Sequence, residues 1–404
     1  MLVVIAWRNI WRNPLRSLTI IGSVMIGLWA GIFILAFFRG MTNEQIRTAI
    51  SQQLSHIQLH HPQFRELDEP EFTVRDVTKL DSIFSREPAI GAISRRMIIT
   101  AMASSAYTSS GVSIYGIDPA AENAVTGLAV RTATGRYFDT STHSQLLIGK
   151  KLAAKLHLEL NSKLVLTFQD TKGELTASAF RICGIYTAAN SSMEENNVYV
   201  KQKELDSLAT LRGQVHEIAV LLKDNAFLDQ TARLIQQASP GNKTETWKQL
   251  SPELRLMIDS FGQYMMIIIG IILVALVFGI VNTMLMAVLE RVRELGVLMA
   301  IGLNKSKVFR MIITETILMT ILGCMAGLPL AWVTVYLTGR SGISLERFAE
   351  GLALYGYGTK VYPQLESIYY WQVGAMALGA TIIAAIYPAW KALQLNPATA
   401  IRKI

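Results

Sequence analysis

Four stretches of the chain carry no charged side chain: Thr19–Phe38, Phe261–Leu289, Thr316–Gly339 and Ser367–Trp390. Each reaches the roughly 20 residues that a helix needs to cross about 30 Å of hydrocarbon. The long polar section between the first and second stretches has another rhythm. His56–His61, Arg96–Met102, Gly111–Gly116, Lys163–Phe168, Ala179–Tyr186, Val198–Val200 and Glu217–Leu222 have strand character, punctuated by Gly, Asp or Asn. Helical patterns intervene at Thr78–Phe84, Leu147–Leu156, Lys203–Thr210 and Ala226–Gln237. The pattern predicts a membrane protein of four transmembrane α-helices in a 1+3 arrangement, with a large mixed α/β extracytoplasmic domain inserted between helices 1 and 2. From Thr244 through Leu254, Met257 and Ile258 the polarity continues into the second apolar run, which predicts one long helix with Pro252 at a kink or a start.

Charge orients this layout. Met1–Arg16, Glu290–Arg310 and Pro388–Ile404 together hold eleven Lys and Arg against two Glu, a net of +9, whereas the whole chain is +8. Basic loops stay in the cytoplasm, so both termini are expected inside and the large domain outside. The expected boundaries are 1–16 for a cytoplasmic interfacial amphipathic helix, then 17–39, 259–289, 308–339 and 367–392 for the spans. The periplasmic parts are 40–258 and 340–366; 290–307 is a cytoplasmic coupling helix and 393–404 a cytoplasmic tail. The basic balance is thus explained by topology and anionic lipid headgroups, and no nucleic-acid partner is expected. Val3, Trp7, Ile10 and Trp11 share one helical face ahead of Pro14, as expected of a helix lying in the inner interface. The run after Arg16 is too long for a cleavable signal and ends in Phe37-Phe38-Arg39, so it reads as a retained anchor. Cys183 and Cys324 fall in different compartments and form no disulfide framework.

The search for chemistry is mostly negative. The Gly149-Lys150-Lys151 run lacks the upstream glycine and the following hydroxyl of a phosphate-cradling loop, so the chain is not expected to hydrolyse ATP by itself. Gly111-Val-Ser-Ile-Tyr-Gly116 has one residue too many for a nucleophile elbow. On a strand His56 and His60 would stand roughly 13 Å apart, with His61 turned away, so no shared metal ion is expected. Glu315, near the cytoplasmic end of the third span, is expected to serve the helix N-terminus or to pair with Arg310. Gly323 and Gly327 form a small-xxx-small pair suited to helix packing.

Between the second and third spans lies the charged insert Glu290, Arg291, Val292, Arg293, Glu294, Leu295, Gly296, Val297, Leu298, Met299, Ala300, Ile301, Gly302. Val292, Leu295 and Met299 recur at helical spacing, so the insert is expected to offer an apolar face to a soluble partner, with Gly302 ending the helix. The insert resembles the Glu-Arg-x-Arg-Glu-[Ile/Leu]-Gly-x-x-x-Ala-[Ile/Leu]-Gly signature of the FtsX/MacB-type, or type VII, ABC transporter permeases. The closing Tyr387–Arg402 and the opening Ala6–Arg16 are similar to the family's tail and entry. Gly116–Pro119 with Val125–Gly127, Leu147–Ala153, and Phe348–Leu352 with Val361–Pro363 look most like the lipoprotein-releasing (Lol) permease subunits, although Leu160-Asn-Ser162 stands where that family usually carries Val-Gly-Asp.

The resemblance implies a non-catalytic, dimeric permease paired with a second copy or paralogue and with cytoplasmic ABC ATPase subunits. ATP and Mg would be bound by the ATPase, and this chain would carry neither cofactor nor metal. Glu290, Arg291, Val292, Arg293, Glu294, Leu295, Gly296, Met299 and Gly302 are the expected ATPase-coupling residues. The outer domain would have an α/β lobe near the membrane and a smaller β-rich lobe. Phe33, Phe37, Phe38, Met41, Phe261, Tyr264 and Met265 are the expected lining of an apolar, outward-opening cavity for acyl chains. Three functions remain open: release of lipoproteins from the inner membrane, with a periplasmic carrier; efflux or peptide resistance, with an adaptor; and transmembrane regulation of a periplasmic hydrolase.

Overall fold

The computed structural model describes residues 2–12, 14–139, 142–300, 303–355 and 357–394. They form two compact units, one of Met1–Thr42, Ile258–Ser344 and Lys360–Ile404, the other of Asn43–Met257 and Leu345–Thr359.

The first unit is helical. Helices Pro14–Ala49, Phe261–Glu290, Lys305–Ser341 and Ser367–Leu393 contain apolar windows long enough to span a bilayer. A helix satisfies its own backbone polar groups, which hydrocarbon cannot do. Small residues bring the helices together. A Cβ added at Gly323 would lie 2.7 Å from Val24 Cβ, and one at Gly327 would lie 3.0 Å from the Met25 carbonyl oxygen. The small-xxx-small face thus receives the first span. Polar side chains add directional contacts: Thr320 donates to Thr381 at 3.1 Å and the Trp29 indole donates to Thr334 at 3.1 Å. At the end of the first span the Gln364 amide donates to the Ala36 carbonyl at 3.1 Å, and a Cβ at Gly40 would strike the Tyr362 carbonyl oxygen at 2.3 Å. Helix Leu2–Arg12 buries Ala6 and Ile10 while Val4, Trp7 and Trp11 stay exposed.

The second unit is built on strands β1 (Ile57–His60), β2 (Ile90–Ser104), β3 (Ser109–Ile117), β4 (Thr132–Gly135), β5 (Gln145–Gly149), β6 (Lys163–Gln169), β7 (Leu175–Tyr186), β8 (Asn197–Lys201), β9 (Glu217–Leu222) and β10 (Lys243–Thr246). The pairing closes on itself: β2 meets β3, β3 meets β8, β8 meets β5, β5 meets β7, β7 meets β6, and β6 returns to β2. Alternating buried positions fill this ring, among them Ala101, Ile114, Leu164, Leu166, Phe168, Phe180 and Val198. The first half of β2 pairs instead with β9, which continues to β1 and β10. Helices Val77–Phe84 and Leu228–Ala238 belong to this open portion. One strand therefore serves an open sheet and a closed ring, which accounts for its 15 residues.

Arg96 sits where the two parts of the sheet meet. It faces Glu217 across the β2–β9 pair and donates to it at 2.7 Å. It also grips Glu122 with two hydrogen bonds of 2.9 Å, and Ser94 donates to the same carboxylate at 2.7 Å. Glu122 lies on helix Pro119–Thr126, which starts at Pro119 and is capped by Asp118 accepting from the Ala120 and Ala121 amides at 3.0 Å. Burial by itself pushes the Glu122 carboxyl up, but the Arg96 charge and hydrogen bonds outweigh it and hold the group below the usual carboxylate range.

The fold departs from sequence expectation in two places. The segment from Leu147 is the end of β5, and its helix is confined to Lys150–Lys155. Lys243–Thr246 is the edge strand β10, followed by helix Trp247–Leu250. The continuous helix expected from Thr244 therefore does not form. Pro252 instead opens helix Pro252–Asp259, and a turn at Ser260 precedes Phe261–Glu290. Strand pairing with β1 outweighs local helical polarity there, and proline fits the first helical position.

Two outcomes test this packing. Gly323→Leu should destabilise the helical unit by about 1–3 kcal/mol through overpacking, whereas Gly279→Ala, with open space around its Cβ, should leave the unfolding midpoint in detergent unchanged or higher. Glu122→Gln should cost about 3 kcal/mol by leaving Arg96 under-compensated. Because the folded Glu122 titrates below its unfolded value of about 4.3, its stabilisation should be present above that pH and lost as pH falls through the folded value. The Gln variant should flatten that acid limb in a pH series of unfolding midpoints.

Candidate coupling segment and outer apolar face

The chain leaves the second span at Glu290, turns at Arg291, and enters helix Val292–Ala300, with the Leu295 amide donating to the Arg291 carbonyl at 2.9 Å. Arg291 is buried. Its guanidinium donates to Glu315 at 3.3 Å and to the Asn9 carbonyl at 3.3 Å. The partner expected for Glu315 was Arg310; the structure supplies Arg291, because the turn folds the guanidinium back onto the third span. One ion pair therefore joins the start of the insert, the third span and, through Asn9, the N-terminal helix. A second pair, Arg12 with Glu294, ties the insert to the N-terminal helix on the exposed side.

Part of the insert's apolar stripe is also turned inward. Leu295 is only 5% exposed and belongs to the apolar core of the helical unit, with Met299 packed against it. Gly296 is buried as well, and Val292 is half-buried. The expectation that Val292, Leu295 and Met299 present a free apolar face is corrected at Leu295, which the helical core covers; Val292 and Met299 stay partly open. Among the described side chains of the insert, Glu290, Arg293, Glu294 and Val297 form the open surface, the last 41% exposed. Val297 was absent from the residues expected to dock. Gly302 lies outside the described residues.

The residues expected to line a lipid cavity divide into three groups. Trp29, Phe33 and Phe37 stack in succession along the first span, with centroids 6.4 and 6.5 Å apart. Phe33, Phe37 and Met41 are half-buried, and Phe38 and Tyr264 are exposed. Phe261 and Met265, by contrast, are buried in the helical core, Phe261 beneath the Arg39 guanidinium at 4.7 Å. These two do not line an open surface of the chain. The second span exposes Tyr264, Ile267, Ile271, Val274 and Phe278, a nearly continuous apolar face. Trp29 was missed, although its spacing of four from Phe33 and Phe37 was readable. Among the described residues no group of His, Cys, Asp and Glu is arranged to hold a metal ion.

The family described as MacB-like periplasmic core domain matches residues 17–238, more than half of the chain, and that described as FtsX-like permease C-terminal matches residues 266–397. The chain belongs to the FtsX/MacB-type ABC transporter permeases. Over 312 residues it is 21% identical to the lipoprotein-releasing system transmembrane protein LolC of Xylella fastidiosa strain Temecula1, covering 71% of this chain and 72% of that one. Over 330 residues it is 25% identical to the macrolide export ATP-binding/permease protein MacB of Mannheimia succiniciproducens, covering 73% of this chain. It spans about half, 46%, of that MacB's length. The periplasmic region of MacB from Actinobacillus actinomycetemcomitans aligns with a TM-score of 0.36 and 11% identity, over 50% of this chain and 93% of that structure.

For this permease, Glu315→Gln should lower stability by about 3 kcal/mol, since it leaves Arg291 buried without its counter-charge. Exchanging the exposed pair, Arg12→Glu with Glu294→Arg, should change it by less than about 1 kcal/mol. Chemical unfolding in detergent micelles reads both; equal effects would contradict the burial difference.

Proposed function

We propose that the chain is the membrane-embedded half of a machine that uses ATP bound by a separate cytoplasmic ATPase to release lipidated proteins from the inner membrane. The observation carrying the reading is the aromatic face of the first and second spans: the Trp29–Phe33–Phe37 stack, with Phe38 and Tyr264 exposed beside the second span's uncovered apolar surface. Such a surface, uncharged and largely apolar, suits acyl chains of variable shape. Similarity to LolC over 71% of the chain supports it. In this reading the termini and the insert are cytoplasmic, the α/β unit is periplasmic, and two permeases, identical or paralogous, face each other through the first two spans.

The coupling surface in this reading is the outward side of helix Val292–Ala300, with Arg293, Glu294 and Val297 touching the ATPase and the buried Arg291–Glu315 pair holding the helix rigid enough to pass force to the third span. Matches to MacB favour a second reading, export with a periplasmic adaptor. A photo-crosslinker separates the two. Placed at position 38 or 264 in membranes containing the ATPase, it should label a triacylated lipoprotein, while the same group at buried position 265 should not. Labelling by bulk phospholipid alone would overturn lipoprotein release.

Docking is tested separately. Val297→Asp should leave the permease folded and reduce ATPase co-purification by roughly tenfold or more, as expected for a charge placed in an apolar contact. Leu295→Asp should destabilise the permease itself. Undiminished co-purification of Val297→Asp would remove this face from the coupling surface.

A further inference from the structure

Between β1 and helix Val77–Phe84 the chain of the α/β unit makes an irregular excursion over residues 61–76, relieved only by the helical turn Phe64–Leu67. Two of its residues are left-handed, Asp68 at φ 53° and Asp76 at φ 55°. With so few backbone bonds of its own, such a segment keeps its place only where other groups fasten it. Two buried histidines do so here: His61, directly after β1, and His216, directly before β9.

His216 joins the excursion to β2. Its Nδ1 accepts from the Ile98 amide at 2.9 Å, its Nε2 donates to the Pro70 carbonyl at 2.9 Å, and its ring stacks on Phe64 with centroids 5.0 Å apart. A backbone N–H only donates and a carbonyl only accepts, so this setting fits the neutral ring with its proton on Nε2. A second proton would meet the Ile98 N–H head on. His61 is held in a similar way: its Nε2 accepts from the Arg75 guanidinium at 3.0 Å, and its ring stacks on Phe72 with centroids 5.0 Å apart. Arginine only donates, so a proton on that nitrogen breaks the bond and sets two cations together. The far end of the excursion is fastened by neutral groups. The Val74 amide donates to the Val215 carbonyl at 2.7 Å, and the Asn242 carboxamide accepts from the Arg75 amide at 2.9 Å and donates to its carbonyl at 2.8 Å.

The charges around each ring set the sign of its response to pH. Near His216 stand Asp68, which accepts from Thr100, and Arg96, whose carbonyl takes the His216 amide while Glu122 and Glu217 neutralise its guanidinium. Burial pushes the His216 ring below the ordinary imidazole value, and it outweighs the Pro70 carbonyl and the Asp68 charge, which both favour the cation. Near His61 stand Arg75 and His60, and His60 shares Glu245 with Arg65 and Lys243. Burial, Arg75 and His60 all push His61 down. A detached ring titrates near 6.5, so it takes up a proton that the seated ring refuses; the seating is intact above that pH and is lost progressively as pH falls below it. We propose that residues 62–73 form an acid-released flap: protonation of His61 and His216 frees it from β2 and β1, Val74 and Arg75 remain as its hinge, and Phe64 and Phe72 are uncovered as an apolar pair.

The test is hydrogen–deuterium exchange of the full chain in lipid nanodiscs, with every rate corrected for the intrinsic effect of pH. Between about pH 7.5 and about pH 5, protection of residues 64–73 and of the Ile98 amide should fall roughly tenfold or more, against a ceiling of about thirtyfold for each ring that takes up its proton only when detached. Protection of Val74 and of strands β5, β7 and β8 should hold. His61→Gln and His216→Asn each keep an acceptor, for Arg75 and for the Ile98 amide, that does not titrate in this range. The double variant should therefore exchange at the flap without regard to pH. If it does not fold, the unaltered chain decides by itself, because release of the flap and acid unfolding of the whole unit differ at β5, β7 and β8. An equal fall in those strands would overturn the proposal. So would full protection of residues 64–73 down to about pH 5, or a folded double variant whose flap responds to pH as steeply as the unaltered chain.

Discussion

A single buried charge pair constrains the end of the helical unit where the second and third spans are joined. Glu315 lies inside an apolar bundle, where an unpaired carboxylate would be costly to desolvate, and Arg291 is the cation that reaches it. That contact fixes the direction in which the chain leaves the second span, and it takes the Asn9 carbonyl of the N-terminal helix with it. Once Arg291 points inward, Leu295, four residues on, must point inward too, while Arg293, Glu294 and Val297 turn out. The orientation of the whole insert follows from where one guanidinium can be neutralised.

Arg96 has the corresponding place in the α/β unit. It sits midway along the longest strand and binds a carboxylate from β9 and one from the helix that follows β3. The open sheet and the closed ring are thereby tied at one point by charge as well as by backbone pairing. Both buried arginines leave apolar surroundings intact because their partners arrive in fixed geometry. In each unit, the charged group acts at a junction of chain segments.

The uncharged runs, the strand rhythm and the signature of the insert were legible because each depends on residues close together in sequence. Gly323 and Gly327 were legible for the same reason, and the first span packs against both. Less was readable at the candidate sites. The repeat of Val292, Leu295 and Met299 announced an apolar stripe but could not say whether a partner or the chain itself covers it. Phe261 and Met265 looked like neighbours of Tyr264, yet one residue's step of about 100° around the helix separates buried Met265 from exposed Tyr264. Trp29 belongs with Phe33 and Phe37 through stacking that only the assembled helix displays.

Sequence alone determined the apolar spans, the class of the inserted domain and the permease family, because length, periodicity and a contiguous motif are local properties. Tertiary structure decided which cation meets Glu315, which face of the insert is free, and that Lys243–Thr246 is an edge strand although its polarity runs on into a helix. It also brought His61 and His216 against one irregular segment, at Arg75 and Pro70. These outcomes turn on contacts between residues far apart in the chain, where burial, pairing and desolvation outweigh any local preference by several kcal/mol.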